Sequence, residues 1–165
     1  MQITVSHKEG NSSETMVLEA KTSKSSFEIK PSLISPVEYF LAGTISCSLT
    51  DMVMLPKKQG YNISDISITG DVTRNDTPPR KFNNVNLLYS FNSDADNVIA
   101  RRWVLSTLET YCSTLNTIRG VSKIRFSIIH NGDLIADKDE ITSGETNPIS
   151  LSNKNIPDIG GACES

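Results

Sequence analysis

The stretch that decides the fold is Ser35-Pro36-Val37-Glu38-Tyr39-Phe40-Leu41-Ala42-Gly43-Thr44-Ile45-Ser46-Cys47-Ser48-Leu49-Thr50-Asp51-Met52-Val53-Met54-Leu55. Helix-start signals coincide at its beginning. Ser35 reads as the N-cap, and Pro36 takes the first helical position, where its missing N–H costs nothing. Glu38 follows three residues after the cap and completes a capping box. The body carries almost no charge on any face, the mark of a helix buried on most of its sides. Pro56, which has no N–H to donate, predicts a kink or a stop, and Gly60 closes the segment.

Upstream, residues 1–34 read as three short strands. Ile3-Thr4-Val5 alternates with polar neighbours, Glu9-Gly10-Asn11-Ser12-Ser13 is turn chemistry, and Met16-Val17-Leu18 and Phe27-Glu28-Ile29 are apolar strands. Downstream, residues 61–73 and 83–91 read as a hairpin across the polar turn Asn75-Asp76-Thr77-Pro78-Pro79. A second helix is predicted from near Ser93-Asp94 to Gly120, with Val98, Leu105, Leu108, Cys112 and Leu115 on its buried stripe. A last strand, Ile124-Arg125-Phe126-Ser127-Ile128-Ile129, follows. The expected order is βββ-α-ββ-α-β, an α+β domain of antiparallel sheet around two long central helices. It is expected to span residues 1–142, with a polar, flexible tail over 143–165. So small a sheet covers only one face of such apolar helices, so an obligate partner is expected, most economically a second copy of the chain.

Composition narrows the function classes. The 165 residues suit one core, and 37% hydrophobic with 21% charged residues is the balance of a chain that folds in water. The net charge of −3 and the absence of any basic cluster longer than Lys57-Lys58 or Arg101-Arg102 argue against nucleic acid as a partner. Neither a targeting segment nor an 18-residue apolar run is visible, so a cytoplasmic protein with no membrane partner is expected.

Three cysteines at wide spacing, Cys47, Cys112 and Cys163, make a poor disulfide framework. With only His7 and His130, and no CxxC or HExxH, neither a metal nor a cofactor is expected. A lone Cys in an apolar helix is ordinarily a small buried hydrophobe. Two of them, one on each predicted central helix, can instead do redox chemistry that one cannot. A thiolate that attacks a peroxide O–O bond becomes a sulfenic acid, which a second thiol converts to a disulfide.

Ser35 to Cys47, together with Glu109-Thr110-Tyr111-Cys112-Ser113-Thr114-Leu115-Asn116, resembles the OsmC/Ohr family of osmotically inducible and organic hydroperoxide resistance proteins. The resemblance runs over roughly residues 35–130 and includes Pro79-Arg80-Lys81-Phe82 before the second hairpin strand. It implies an α+β fold in which two chains intertwine, with Cys47 similar to the peroxide-attacking cysteine and Cys112 to the resolving one. An organic hydroperoxide and a dithiol reductant are then the implied partners. The peroxidase branches carry an Arg in the N-terminal strands, whereas the first Arg here is Arg74. Their carboxylate directly follows the Pro; here Val37 does, and Glu38 comes one residue later, an offset that resembles the OsmC-like branch.

Glu38 is therefore a candidate catalytic carboxylate, although its capping-box role alone explains it. Asp51, one turn beyond Cys47, is either a polar residue facing a cavity or water at a pocket rim. Arg80, Arg101 and Arg102 read as solvated or partner-facing charges, Trp103 as core or interface, and Cys163 as an inert terminal thiol. Two functions follow. One is a thiol-dependent peroxidase using Cys47 and Cys112. The other is a non-enzymatic binder of hydrophobic small molecules, with a pocket lined by Phe40, Met52, Met54 and Leu108.

Overall fold

A computed structural model describes residues 1–141; the predicted tail lies outside the described residues. The chain falls into two compact units, the first covering Met1–Gly43 and the second beginning at Thr44.

The first unit holds β1 (Thr4–Glu9), β2 (Val17–Lys21) and β3 (Ser26–Ile29), a three-stranded antiparallel sheet in sequence order. Gly10 turns β1 toward β2 with a positive φ of 80°. A Cβ there would lie 2.1 Å from the Thr15 carbonyl oxygen, so no other residue fits. Helix α1 (Pro36–Lys58) starts in this unit. Its cap forms as the sequence predicts: Glu38 Oε2 accepts from the Ser35 N–H and hydroxyl, both at 2.7 Å, and Ser35 Oγ accepts from the Glu38 N–H at 3.3 Å.

Beyond Gly43 the helix continues into the second unit. Thr44, Cys47, Ser48, Asp51, Met52 and Leu55 are buried, a stripe at the i, i+3, i+4, i+7 spacing of one helix face. Val53 opposite this stripe and Met54 at its edge, two turns beyond Cys47, remain exposed, so within the single chain α1 is buried on one face. Of the kink or stop expected at Pro56, a stop does not occur at the proline itself. The proline lies in the last turn, and the helix ends two residues later at Lys58. There Tyr61 N–H donates to the Pro56 carbonyl and Gly60 N–H to that of Lys57, with Gly60 at φ 84°. That pair of bonds is a Schellman closure.

The four-stranded sheet runs in the order β4 (Ile63–Arg74), β5 (Phe82–Ser93), β6 (Lys123–His130), β7 (Asp133–Glu140). β4 and β5 form the expected hairpin. Two features correct the sequence reading. β5 and β6 pair in parallel, Val85 opposite Ile124 and Leu87 opposite Phe126, because a helical crossover rather than a turn joins them. The second feature is the additional strand β7, which follows β6 through Asn131 and Gly132, both at positive φ (53° and 89°), as a two-residue hairpin requires. Its sequence, Asp-Leu-Ile-Ala-Asp-Lys-Asp-Glu, is a largely exposed edge strand, too polar to show a clear alternation.

Val85, Leu87, Tyr89 and Phe91 of β5 and Ile124, Phe126 and Ile128 of β6 bury alternate side chains in one core with Met52, Leu55, Trp103, Val104, Leu108 and Leu115. Trp103 is core, as expected; its indole N–H donates to Gln59 Oε1 at 2.7 Å and its ring meets Tyr61 edge-on.

The predicted second helix is not one helix. α2 (Asn97–Ser106) is capped by Asp96, gives way to a π-helical turn over Thr107–Tyr111, and resumes as α3 (Ser113–Ile118) after an extended Cys112 at φ −71°, ψ 97°. Thr107, Thr110, Ser113, Thr114 and Thr117 crowd this stretch with hydroxyls that compete for backbone groups, as Thr117 Oγ1 does by donating to the Ser113 carbonyl at 2.8 Å.

Candidate functional site

Cys47, Asp51 and Cys112 meet in the second unit. The two sulfurs and a carboxylate oxygen all lie within 4.8 Å of one another, and all three residues are buried. Cys47 and Asp51 share a face of α1 because they are one turn apart. Cys112 reaches them from the break between the π turn and α3, where the extended backbone turns its side chain out of the helical path. Both cysteines are thiols.

Each sulfur has a hydroxyl beside it. Ser113 Oγ lies 3.8 Å from Cys47 Sγ and Thr114 Oγ1 lies 3.3 Å from Cys112 Sγ. Thr114 Oγ1 also donates to the Thr44 carbonyl at 3.4 Å, tying α3 to α1 at the site. Cys112 is fixed from behind by Asn116, whose amide donates to the Cys112 carbonyl at 2.8 Å. Below the thiols, Ser48 Oγ and the buried Tyr89 hydroxyl hydrogen-bond at 2.7 Å, and burial holds the phenol well above its ordinary pKa.

The electrostatics differ between the three groups. Burial pushes the Cys112 thiol up to about 12, with the neighbouring Cys47 adding to the shift against the Thr114 hydroxyl, so Cys112 stays protonated at neutral pH. Asp51 is 1% exposed, and its two carboxylate oxygens have no hydrogen-bond partner among the described residues. Burial raises it to about 6. An unpartnered carboxylate in such a place costs stability, because nothing replaces the water it gave up.

Of the residues the sequence singled out, Cys47 and Cys112 come together, and Asp51 joins them as a group facing the thiols, not as a polar rim. Glu38 is engaged in the α1 cap, which holds its pKa below the ordinary carboxylate value through the Ser35 hydrogen bonds. Of the four residues named for an apolar interface pocket, Met52 and Leu108 are fully buried, whereas Phe40 and Met54 are exposed. A cleft of about 690 Å³ lies elsewhere, lined by Asn97, Val98, Arg101, Arg102, Leu105, Glu109 and Ile135. Arg101 there pairs with Asp139 at 2.6 Å. The hydroxyls of Ser113 and Thr114 were the residues sequence reasoning missed; their adjacency to Cys112 was the available signal.

The OsmC-like protein family model matches residues 30–127, a span that contains both cysteines and the whole of α1. The chain belongs to the OsmC-like family. Solved structures of the family share this fold at low identity. An OsmC-like protein from Mycoplasma pneumoniae superposes with a TM-score of 0.67 at 16% identity, covering 78% of this OsmC-like chain and 95% of that one. An organic hydroperoxide resistance protein OsmC from Legionella pneumophila gives 0.55 at 19% over 78% and 96%. The organic hydroperoxide resistance protein OhrB of Bacillus subtilis gives 0.51 at 16% over 78% and 98%. No curated protein matches the sequence. Among the described residues, no helix of the OsmC-like chain is long and apolar enough to cross a membrane.

Proposed function

We propose that this OsmC-like chain is a thiol-dependent peroxidase that reduces organic hydroperoxides with Cys47 and Cys112. The observation that carries the reading is the pair of sulfurs within 4.8 Å of each other, contributed by two separate helical segments. Exposure divides the roles: Cys47 is 8% exposed and Cys112 0%, so Cys47 is the thiol a substrate can reach.

In the first step the Cys47 thiolate attacks the peroxide. An S–O bond forms, the O–O bond breaks, and the alkoxide leaves and takes a proton to become the alcohol. In the second, the Cys112 sulfur attacks the sulfenic acid; the S–S bond forms, and hydroxide leaves as water with the Cys112 proton. A dithiol then exchanges with the disulfide, returning both thiols and becoming a disulfide itself. Closing the gap to an S–S bond of about 2.05 Å requires the sulfurs to move. The irregular backbone at Cys112 supports that movement, since π turns often mark such places. Glu38 serves the site by fixing the start of the helix that carries Cys47, a positioning role.

The working form is a homodimer in a reducing, cytoplasmic setting. Val53, on the face of α1 away from the thiols, and Met54, two turns along the helix from Cys47, are 40% and 37% exposed and are the apolar surface that a second copy covers. Changing both to Asp yields a monomer in light scattering. The peroxidase reading is tested by adding an alkyl hydroperoxide to the reduced, metal-free chain with a dithiol. Dithiol-dependent turnover that Cys47→Ser removes is expected; no turnover by the unmodified chain contradicts it.

A further inference from the structure

We propose that Cys47, Asp51 and Cys112 form a binding site for a thiophilic divalent cation of the Zn²⁺ type. The inference stands on the arrangement of the donors and does not rest on the peroxidase reading.

Two cysteine sulfurs and one carboxylate are a donor set that zinc accepts, and three protein ligands leave the fourth position of a tetrahedron to water. Zn–S bonds of about 2.3 Å and Zn–O bonds of about 2.0–2.2 Å place the donors of a tetrahedral site roughly 3.5–3.8 Å apart. The three here already lie within 4.8 Å, so side-chain rotation of about 1 Å draws them in. The scaffold is suitable because Cys47 and Asp51 lie one turn apart on a rigid helix, and Cys112 sits at a break in its own segment.

The second observation is Asp51 itself. It is 1% exposed and aimed at two sulfurs, and neither carboxylate oxygen has a hydrogen-bond partner among the described residues. Buried carboxylates are ordinarily paired or coordinate a metal. A cation supplies the missing partner. Binding exchanges two thiol protons for one Zn²⁺: Zn²⁺ joins two Cys–SH and one carboxylate, two H⁺ leave, and the site carries one net negative charge. The hydroxyl of Ser113, 3.8 Å from Cys47 Sγ, then donates to the bound thiolate, and that of Thr114, 3.3 Å from Cys112 Sγ, does so by turning from the Thr44 carbonyl. Because the same sulfurs cannot be metal ligands and a disulfide at once, oxidation expels the cation.

The test uses the full, reduced chain dialysed against Zn²⁺, with released metal read by a chromogenic chelator, and Co²⁺ as a second probe for thiolate-to-metal charge-transfer absorption. One Zn²⁺ per chain is expected, retained in Cys163→Ser, absent in Cys47→Ser/Cys112→Ser, and released when an oxidant forms the disulfide. Asp51→Asn weakens binding at least about tenfold, and Asp51→Cys, which supplies a third thiolate, restores it. No stoichiometric uptake by the reduced wild type, uptake that survives loss of both thiols, or unchanged affinity in Asp51→Asn overturns the site. Peroxide turnover is measured on metal-free protein, so either idea can fail without the other.

Discussion

The two segments that deliver the thiols are built in opposite ways. α1 is continuous from its capping box at Ser35 and Glu38 to the Schellman closure at Gly60, and it carries Cys47 in regular helix, one turn from Asp51. The segment from Asn97 to Ile118 is interrupted by a π turn and an extended residue, and that residue is Cys112. Regular helix fixes a side chain's direction along a repeating path, whereas a break allows one residue to be aimed by its own φ and ψ. The difference suits a pair in which one sulfur stays fixed near the surface and the other, fully buried, moves to meet it.

The largest expected effects come from removing either thiol. Cys47→Ser lowers dithiol-dependent hydroperoxide turnover by more than about a thousandfold, the scale of losing a reaction's nucleophile. Cys112→Ser instead stops the cycle one step later. After one equivalent of hydroperoxide it carries a sulfenic acid on Cys47, visible to a sulfenic-acid-specific reagent, and no intramolecular disulfide. If Cys112→Ser turns over like the wild type, the two segments are not a functional pair.

A smaller effect probes how the broken segment is held. Asn116→Ala removes the side-chain donor to the Cys112 carbonyl, which keeps the Asn116 backbone N–H at 3.0 Å, and costs about 0.5–1.5 kcal/mol in urea unfolding. It should also slow disulfide formation relative to the wild type in a quench-and-alkylate time course. Unchanged stability and rate would mean that the π turn alone sets the position of Cys112.

The start of the same segment rests on a pH-sensitive contact. His130, buried at the end of β6, faces Asn97 Oδ1 at 2.7 Å through Nδ1 and Ser93 Oγ at 2.8 Å through Nε2. The amide oxygen only accepts, so Nδ1 carries the proton and Nε2 accepts from the serine hydroxyl. Burial lowers the His130 pKa from 6.5 in spite of the Asp133 and Asp96 charges, so the folded state binds fewer protons than the unfolded one. The stabilisation is present above pH 6.5 and is lost as pH falls through the lowered folded value. Asp51, raised to about 6 by burial, acts in the opposite direction over the same range, so the readout is the difference in thermal stability between the wild type and His130→Gln, which should shrink from pH 7.5 to 5. The smallest effect belongs to α1: Glu38→Ala removes one side of an exposed cap and lowers the melting temperature only slightly in the same assay.

The contrast between the segments also explains what the sequence made legible. Ser35, Pro36, Glu38 and Gly60 are local signals whose meaning needs no tertiary context, and α1 formed between them. The alternation in Val85–Phe91 and Ile124–Ile129 likewise placed two strands of the core. The break at Cys112 was hidden because Val98, Leu105, Leu108, Cys112 and Leu115 fit a helical stripe, and periodicity does not register one extra residue in a turn. β7 was hidden by its polar edge composition, although Asn131-Gly132 is a hairpin signal in its own right. Parallel pairing of β5 and β6 followed only from the crossover. At the site, the two cysteines could be read as a pair, but the closing of Asp51 onto them depends on which face of α1 the core selects.

Peptide mapping by mass spectrometry of the reduced, full-length chain after one equivalent of an alkyl hydroperoxide bears most directly on the pairing of the two segments. A disulfide joining Cys47 to Cys112, with Cys163 still a thiol, is the expected product. Thiols left unreacted at both Cys47 and Cys112, or oxidation confined to Cys163, would contradict a redox role for the pair.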